Sequence, residues 1–451
     1  MARRYVIIGS GAAGIAAVES IRKLDRAGNI TLLTGDPHGY YSRPGLAYYL
    51  ADELPEKQLF PLDRRRLREW NLNWYSKAVV RIQPAEHRVI LQGAAAVEYD
   101  RLLLATGAHA TLPDTPGITL EGVVKLDHLE DARKIIRLAR HGANAVVVGG
   151  GITALELVEG LAARGMKVHY FLRGDRYWSN VLDEEESRMV ESRLQDEGVI
   201  LHHQTTLVEI LGRGGKVYGV LARQQEKDFR LNCALVAVAI GIRPRKELAA
   251  QGGLVTLRGI ICDETLRTSD ADIFTAGDAA EVLDPGSGQY VLDSLWKPAV
   301  DMGRIAGANM AGGNLTYRKA IPFNVTKLAG LITTIVGQVG GDPAVCPPDR
   351  DLKGGIMRGD SEIWRQYPDA VVAQTVGGNN RIRLYVRQAT IAGALVMGDQ
   401  TLSTPLQYIV REKLDICAIH QDLLQPGAPL HQIITLFWNE RRYRHAAIGI
   451  A

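Results

Sequence analysis

The sequence predicts an α/β protein with two dinucleotide-binding units built on parallel sheets and a C-terminal α+β domain. Two glycine-rich turns support the first part of this prediction, one at residues 9–14 and the other at residues 149–154. Each turn follows an apolar run, Tyr5–Ile8 or Ala145–Val148, of the kind that forms a buried strand. From about residue 321 the pattern changes to short strands, glycine-rich turns and a final polar helix, which predicts a separate domain.

Both turns fit the pattern G-x-G-x-x-G/A between a strand and a helix, as in a Rossmann-like unit. The first glycine makes the tight turn, the second lets the backbone approach a pyrophosphate, and the third position lets the helix pack against the strand. The three positions are Gly9, Gly11 and Gly14 in the first unit and Gly149, Gly151 and Ala154 in the second. The alternative for either turn alone is a glycine-rich turn without a ligand. Two copies together predict two dinucleotides, and hence a protein that passes electrons between them.

Length and composition narrow the classes of protein that remain. A chain of 451 residues suits about two to four domains, and a net charge of +3 gives no indication of nucleic acid or a membrane surface. The four cysteines lie far apart without a C-x-x-C spacing, so zinc ribbons and cysteine-ligated clusters find no support. Isolated thiols fit a reducing cytosol. No metal site is expected. No apolar run is long enough to predict a transmembrane helix.

Further cofactor contacts are predicted at the ends of other strands. Asp36 follows Gly14 by about 20 residues, the spacing at which an acid binds a ribose hydroxyl; a solvated turn residue is the alternative. A buried strand ends in Ala105-Thr106-Gly107, and a later strand ends in Gly277-Asp278 and enters a helix. An acid at a strand end before a helix suits a hydroxyl-rich chain.

This ordered set of motifs resembles the two-dinucleotide-binding flavoprotein oxidoreductases over residues 1–320. The resemblance implies FAD in the first unit and NADH or NADPH in a second unit inserted into it. It implies an FAD domain at 1–110 and 252–320, an NAD(P)H domain at 111–251 and an interface-like domain at 321–451. Asp278 would bind the ribityl chain, and the helix at Lys297 would face the flavin pyrimidine. The other implied FAD contacts are Ala12, Ala13 and Val80.

The loop at residues 33–44 most resembles that of rubredoxin reductases, ferredoxin reductases and the flavin part of nitrite reductases. Family members that relay electrons through a single thiol carry a cysteine just after this loop. Here that place is Pro44, and no cysteine lies between residues 1 and 232. The flavin is therefore expected to pass electrons directly to an acceptor, which the sequence does not identify.

Two arginines favour NADPH over NADH. An NADH site usually has an acid at the end of the second strand, whereas arginine accommodates a 2′-phosphate. Here Leu172 is followed by Arg173, Asp175 and Arg176, and Gly241 ends the last strand of this unit. The alternative is that both arginines are solvated and that NADH binds without the acid, and Asp175 keeps this alternative open.

The predicted catalytic residues are Glu156, in the first turn of the second helix, and Arg43. The resemblance suggests that Glu156 pairs with a cation near flavin N5, and Arg43 is the candidate; an ordinary acid favoured by the helix dipole is the alternative for Glu156. Two rival functions remain. The protein could be an electron-transfer subunit of a larger complex, such as a nitrite reductase, or an NAD(P)H oxidase that reduces dioxygen. An oligomer is possible.

Overall fold

The computed structural model describes residues 2–284, 288–340, 370–377 and 380–448. Within these ranges the chain forms 26 strands, numbered in order along the sequence. They are β1 Arg4–Ile8, β2 Asn29–Leu33, β3 Leu72–Tyr75, β4 Val79–Gln83, β5 Arg88–Leu91, β6 Ala96–Glu98, β7 Arg101–Leu104, β8 Ala108–Ala110, β9 Val123–Val124, β10 Asn144–Val148, β11 Lys167–Phe171, β12 Ile200–His202, β13 Thr205–Arg213, β14 Lys216–Gln224, β15 Lys227–Asn232, β16 Leu235–Val238, β17 Ile242–Pro244, β18 Ile260–Cys262, β19 Ile273–Thr275, β20 Ala280–Asp284, β21 Gln289–Leu292, β22 Phe323–Leu328, β23 Leu331–Gly337, β24 Val371–Gly377, β25 Asn380–Arg387 and β26 Thr390–Met397.

The same ranges contain eleven α-helices. They are α1 Ala12–Leu24, α2 Gly45–Leu50, α3 Arg64–Trp70, α4 Leu129–Leu138, α5 Ile152–Ala163, α6 Glu184–Asp196, α7 Glu247–Gln251, α8 Trp296–Met310, α9 Ser403–Arg411, α10 His420–Leu423 and α11 Leu430–Ile448. Short 3₁₀ turns occupy Glu56–Leu59, Pro84–Glu86 and Gly277–Ala279.

Two five-stranded parallel sheets form the body of the molecule. The first has the order β19-β7-β1-β2-β3, so that β19, far along the chain, pairs with β7 from the N-terminal part. The second has the order β12-β11-β10-β16-β9. Continuous apolar runs such as Ala145–Val148 form the inner strands because helices cover both faces of a parallel sheet. These sheets confirm the predicted α/β class with two Rossmann-like units.

The C-terminal part is an antiparallel sheet with the order β22-β23-β26-β25-β24, joined by helices α9 to α11. Its alternating side chains pack on one face against α9 and α11, in a cluster that includes Leu384, Leu406 and Ile434. The other face joins the core of the second parallel sheet through Leu331, Ile335 and other residues. Cys346, in the stretch between β23 and β24, lies outside the described residues.

Helices α1 and α8 pack side by side with glycines at the contact. A Cβ atom at Gly303 would lie 2.1 Å from the carbonyl oxygen of Ala13, and one at Gly307 would lie 2.6 Å from that of Ala17. The two contacts advance along both helices in the same direction, so α1 and α8 run parallel. Their N-terminal ends therefore lie at the same end of the first sheet, beside the first glycine turn.

Candidate functional site

The first glycine turn is shaped by backbone contacts and leaves one position open. A Cβ atom at Gly9, where φ is +113°, would lie 2.0 Å from the carbonyl oxygen of Ala105, and one at Gly14 would lie 1.9 Å from that of Gly9. Gly11 has open space around its Cβ position, and it is the N-cap of α1 without a side-chain capping bond. Free backbone N–H groups therefore face that space, as anion binding at a helix N-terminus requires.

This space is part of a cavity of about 920 Å³ at the carboxyl ends of the strands of the first sheet. Most of the residues predicted to bind FAD or act in catalysis line it: Gly9, Gly11, Ala12, Ala13, Asp36, Arg43, Val80, Ala105, Thr106, Gly107, Glu156, Gly277 and Asp278. Gly14 lies behind the turn against Gly9. Lys297 stands outside the wall, 65% exposed and paired with Asp301, whereas the neighbouring Trp296 lines the cavity.

The second glycine turn is shaped by similar backbone contacts, with Ala154 at the position that Gly14 occupies in the first turn. A Cβ atom at Gly149, where φ is +149°, would lie 2.2 Å from the carbonyl oxygen of Ala239 and 3.0 Å from the Cβ of Ala154. Gly151 is the N-cap of α5 without a side-chain capping bond. Together with Gly241, it lines a small cavity of about 20 Å³. Leu126, Ile152 and Thr153 line both cavities, so the two turns open onto adjoining spaces.

Arg173 and Arg176 lie outside the walls of both cavities, just beyond the carboxyl end of β11. Because β11 is the neighbour of β10, the strand that leads into the second turn, these arginines stand beside the edge where a nucleotide ribose would lie. Arg173 is exposed. Arg176 Nη1 lies 3.3 Å from Asp175 Oδ1, an exposed contact that a phosphate could replace.

A cluster of charged residues in the wall was not anticipated from the sequence. Arg43 Nη2 lies 3.4 Å from His128 Nδ1, and Arg245 Nη2 lies 3.0 Å from His128 Nε2. Asp127 is fully buried, 3.9 Å from Arg43 Nη1 and 3.5 Å from Arg245 Nη2. Burial, with the two arginine charges, lowers the pKa of His128 below its usual value, although Asp127 opposes this shift. A neutral imidazole can accept only one hydrogen bond, so its two ring nitrogens cannot both accept from the arginines.

Asp36, the predicted ribose ligand, belongs to the same end of the cavity. Its carboxylate accepts hydrogen bonds of 2.9 Å from the backbone N–H of His38 and from the Tyr41 hydroxyl. Asp36 Oδ2 also lies 3.7 Å from His128 Nδ1. Arg43 is therefore close to the predicted ribose site, with Asp127 and His128 as its neighbours. Its pairing with Glu156 stays a prediction.

The residues that line the main cavity are suited to binding a flavin dinucleotide. A cavity of about 920 Å³ lies in the range of cofactor sites, and it combines the bare backbone at Gly11 with carboxylates for hydroxyl groups. The Ser294 hydroxyl is buried in the wall and has no hydrogen-bond partner within the part of the chain that the structure describes. A buried hydroxyl without a partner costs free energy, and a polar atom of a bound flavin would satisfy it. The residues expected to hold FAD are therefore suited to it.

Several residues of the site come from parts of the chain that lie far apart in sequence. Asn324, Val325 and Thr326 of the C-terminal part line the cavity, as do His128 and Arg245. No local motif marks them. The contact between α1 and α8 did leave a signal, the small-x-x-x-small spacing of Gly303 and Gly307, at which two helices can approach closely.

The fold and the site define a flavin- and pyridine-nucleotide-binding oxidoreductase. Residues 3–303 match the family of pyridine nucleotide-disulphide oxidoreductases, and the chain belongs to this family. It is an FAD-dependent enzyme that passes electrons from NAD(P)H to an acceptor, which confirms the class predicted from the sequence.

Curated relatives include rhodocoxin reductase from Rhodococcus erythropolis, 32% identical over 324 residues that cover 70% of this chain and 74% of that protein. Rubredoxin-NAD(+) reductase from Pseudomonas putida is 30% identical over 373 residues, covering 82% and 89%. Among solved structures, the covalent putidaredoxin reductase–putidaredoxin complex shares the fold with a TM-score of 0.81 at 23% identity, covering 96% of this chain and 98% of the other. Among the described residues, no helix is both long and apolar enough to cross a membrane.

Proposed function

We propose that this protein takes electrons from NADPH onto its FAD and passes them directly to a small redox carrier protein. The main support for this proposal is that no cysteine lies at the position where a thiol would relay electrons from the flavin. The sequence has no cysteine between residues 1 and 232, and Pro44 lines the cavity at that place. Without a thiol relay, the acceptor has to receive electrons from the flavin itself. Trp296 and Tyr48 line the cavity and are partly exposed, so an acceptor can reach it from outside.

In this proposal the protein supplies position and charge. Bound FAD would supply the redox chemistry, with hydride received from the nicotinamide. The N-terminus of α1 would bind the FAD pyrophosphate and that of α5 the pyrophosphate of the second nucleotide. Asp36 would bind a ribose hydroxyl and Asp278 the ribityl chain. The pairing of β19 with β7 supports an FAD domain made of residues 1–110 and 252–320, with 111–251 inserted and 321–451 following.

Glu156 is the acid we assign to the place where the two nucleotides meet. It lies in the wall of the main cavity, one helical turn after the residues that line both cavities. A carboxylate there can orient the nicotinamide amide or hold a cation beside the flavin. Arg43, which lines the same cavity and lies beside His128 and Asp127, is the candidate for that cation.

The preference for NADPH rests on Arg173 and Arg176 beyond β11. Arginine binds phosphate through a planar fork of donors, and no carboxylate directly follows Leu172 to select a free 2′-hydroxyl. The names of the rubredoxin reductases among the relatives mention NAD(+). Every assay should therefore compare NADPH with NADH.

The names of the relatives support a carrier protein as the acceptor. Rhodocoxin, rubredoxin and ferredoxin appear in the names of relatives. A rubredoxin-NAD(+) reductase from Ectopseudomonas oleovorans is 28% identical to this chain over 414 residues, which cover 87% of this chain and 99% of that protein. The test is an anaerobic screen of rubredoxin, ferredoxin, nitrite, quinones and disulfides with both nucleotides. A carrier protein should give the highest kcat/KM, and faster turnover with a disulfide or nitrite would refute the proposal.

A second candidate is an electron-transfer subunit of a larger reductase. The epsilon subunit of an NADH-dependent phenylglyoxylate dehydrogenase from Aromatoleum evansii is 27% identical over 339 residues, 74% of this chain and 79% of that subunit. Co-purification of a second chain from the native source would favour this function.

A NADH oxidase from Methanocaldococcus jannaschii is also a relative, 29% identical over 338 residues, 73% of this chain and 74% of that protein. Rapid oxygen uptake without an added acceptor would favour the oxidase.

A further inference from the structure

A buried ion pair lies behind the wall of the main cavity, on the side where α8 begins. Lys319 stands between α8 and β22 in the chain, and its side chain is 4% exposed. Its Nζ lies 4.0 Å from Asp293 Oδ2, and the Asp293 side chain is 8% exposed. The same Nζ donates a 3.0 Å hydrogen bond to the backbone oxygen of Leu292. One cation therefore contacts two consecutive residues that come shortly before α8.

The segment that this cation contacts leads directly into the cavity wall. Leu292 is the last residue of β21. Ser294, Leu295 and Trp296 line the cavity. Ser294 follows Asp293 and carries the buried hydroxyl that has no hydrogen-bond partner among the described residues. Leu295 is the N-cap of α8. A shift of the backbone at Asp293 would therefore move the Ser294 hydroxyl and the start of α8 together.

The part of the chain that carries Lys319 is itself anchored in the core. Tyr317, two residues earlier, is buried and packs in a cluster that includes Met302 and Ala306 of α8. The backbone N–H of Tyr317 donates a 2.6 Å hydrogen bond to the backbone oxygen of Glu264. Lys319 therefore connects a fixed segment after α8 with the segment just before α8.

The burial of both charges makes the contact between Lys319 and Asp293 matter. Removing one partner of a buried ion pair destabilises the charge that is left behind, whereas replacing both partners by uncharged groups is often tolerated. Lys319 and Asp293 do not line the cavity, whereas Ser294 does. Any effect of Lys319 on a bound cofactor therefore has to pass through the residues that Lys319 holds in place.

We propose that Lys319 is a positioning residue for FAD, which holds the backbone before α8 and thereby fixes the Ser294 hydroxyl where a polar atom of the flavin binds. The ion pair with Asp293 and the hydrogen bond to Leu292 supply the hold. Support of this kind from behind a ligand-contacting residue preorganises a binding site. The inference depends on FAD in the main cavity and is independent of the nucleotide and the acceptor proposed above.

The test is titration of the apoprotein with FAD, followed by flavin fluorescence, together with the visible absorbance spectrum of the bound flavin. Ser294→Ala should raise the Kd for FAD about two- to tenfold because one hydrogen bond is lost, without lowering the melting temperature of the apoprotein. Lys319→Met should raise the Kd at least as much and change the flavin spectrum. Lys216→Met, which removes an exposed lysine paired with Glu121, is the matched control and should behave as wild type.

Two double variants separate positioning from simple loss of stability. If Lys319 acts through Ser294, Lys319→Met should weaken FAD binding less in the Ser294→Ala protein than in the wild type. Asp293→Asn combined with Lys319→Met should recover part of the affinity that Lys319→Met loses, because both buried charges are then removed. If Lys319→Met does not fold, this uncharged double variant takes its place in the comparison with Ser294→Ala.

Three results would overturn the proposal. The first is a wild-type Kd and flavin spectrum in Lys319→Met, including the case in which only the melting temperature of the apoprotein falls. The second is that the effects of Ser294→Ala and Lys319→Met on the Kd multiply independently. The third is that Asp293→Asn restores no affinity to Lys319→Met. Failure of NADPH or of any carrier to react with the flavin would instead refute the proposed function and leave the measured FAD affinities standing.

Discussion

Gly303 of α8 lies so close to Ala13 of α1 that a Cβ atom at Gly303 would be 2.1 Å from the Ala13 carbonyl oxygen. This contact aligns the two helices so that their N-terminal ends flank the first glycine turn. Ala13 itself lines the cavity, so the packing of α8 on α1 sets the shape of the site expected to hold FAD.

Gly303→Val should separate α8 from α1, because backbone atoms rather than a flexible side chain occupy the space. Overpacking of this kind costs about 1–3 kcal/mol or more. The midpoint of urea unfolding should fall and the purified protein should carry less FAD. Gly174→Ala is the control, since its Cβ would meet neighbours only at 3.6 Å or beyond. Equal stability and FAD content in both variants would contradict the role of this contact.

Gly11→Ala and Gly14→Ala should separate ligand binding from folding. The Cβ of Gly11 would point into open space and its backbone, with φ −76°, is accessible to alanine. A methyl group there should weaken FAD binding while the melting temperature of the apoprotein stays unchanged. At Gly14 the Cβ would lie 1.9 Å from the Gly9 carbonyl oxygen, so the apoprotein itself should lose stability. Unchanged FAD affinity in Gly11→Ala would argue against a pyrophosphate at this turn.

Arg176→Ala should weaken NADPH binding selectively. A hydrogen bond to a charged group contributes about 1.5–3 kcal/mol, so the KM for NADPH should rise about tenfold or more. The KM for NADH should change little, because NADH lacks the 2′-phosphate. Arg188→Ala, an exposed arginine on α6 paired with Glu184, is the control. If Arg176→Ala changes both KM values equally or neither of them, the assignment of NADPH on these arginines is wrong.

Arg381→Met should destabilise the contact between the C-terminal sheet and α6. Arg381 Nε lies 3.2 Å from Glu186 Oε1, and both side chains are buried. Removing Arg381 leaves Oε1 of the buried Glu186 carboxylate without this partner, while Arg383 Nη2 still lies 2.9 Å from Oε2, so the change should cost about 1–3 kcal/mol. Arg223→Met breaks the exposed pair with Asp228 and should change the free energy of unfolding much less. Similar free energies of unfolding for the two variants would contradict this difference.

The parallel sheets and the glycine turns could be predicted because their signals are local. The apolar run and the positions of Gly9, Gly11 and Gly14 lie within one stretch of sequence, and each glycine answers a steric need of that stretch. The same holds for Gly277, which enters the cavity at the end of β19.

The remainder of the site could not be predicted because it is assembled from distant parts of the chain. Lys327 meets Glu53, and Arg245 meets His128, only after three sheets have packed together. Lys297, at the start of the helix predicted to face the flavin, is exposed and pairs with Asp301, whereas Trp296 beside it lines the wall. Side-chain direction at a helix start depends on tertiary packing, which a motif does not encode.

Rapid anaerobic mixing of the FAD-loaded protein with NADPH, and separately with NADH, tests direct electron transfer from the flavin to a carrier protein. The flavin absorbance should be bleached, faster with NADPH, and should return when a carrier protein is added, with the same rates after the thiols have been alkylated. If neither nucleotide bleaches the flavin, or if alkylation abolishes reoxidation by the carrier, direct transfer from flavin to carrier is refuted.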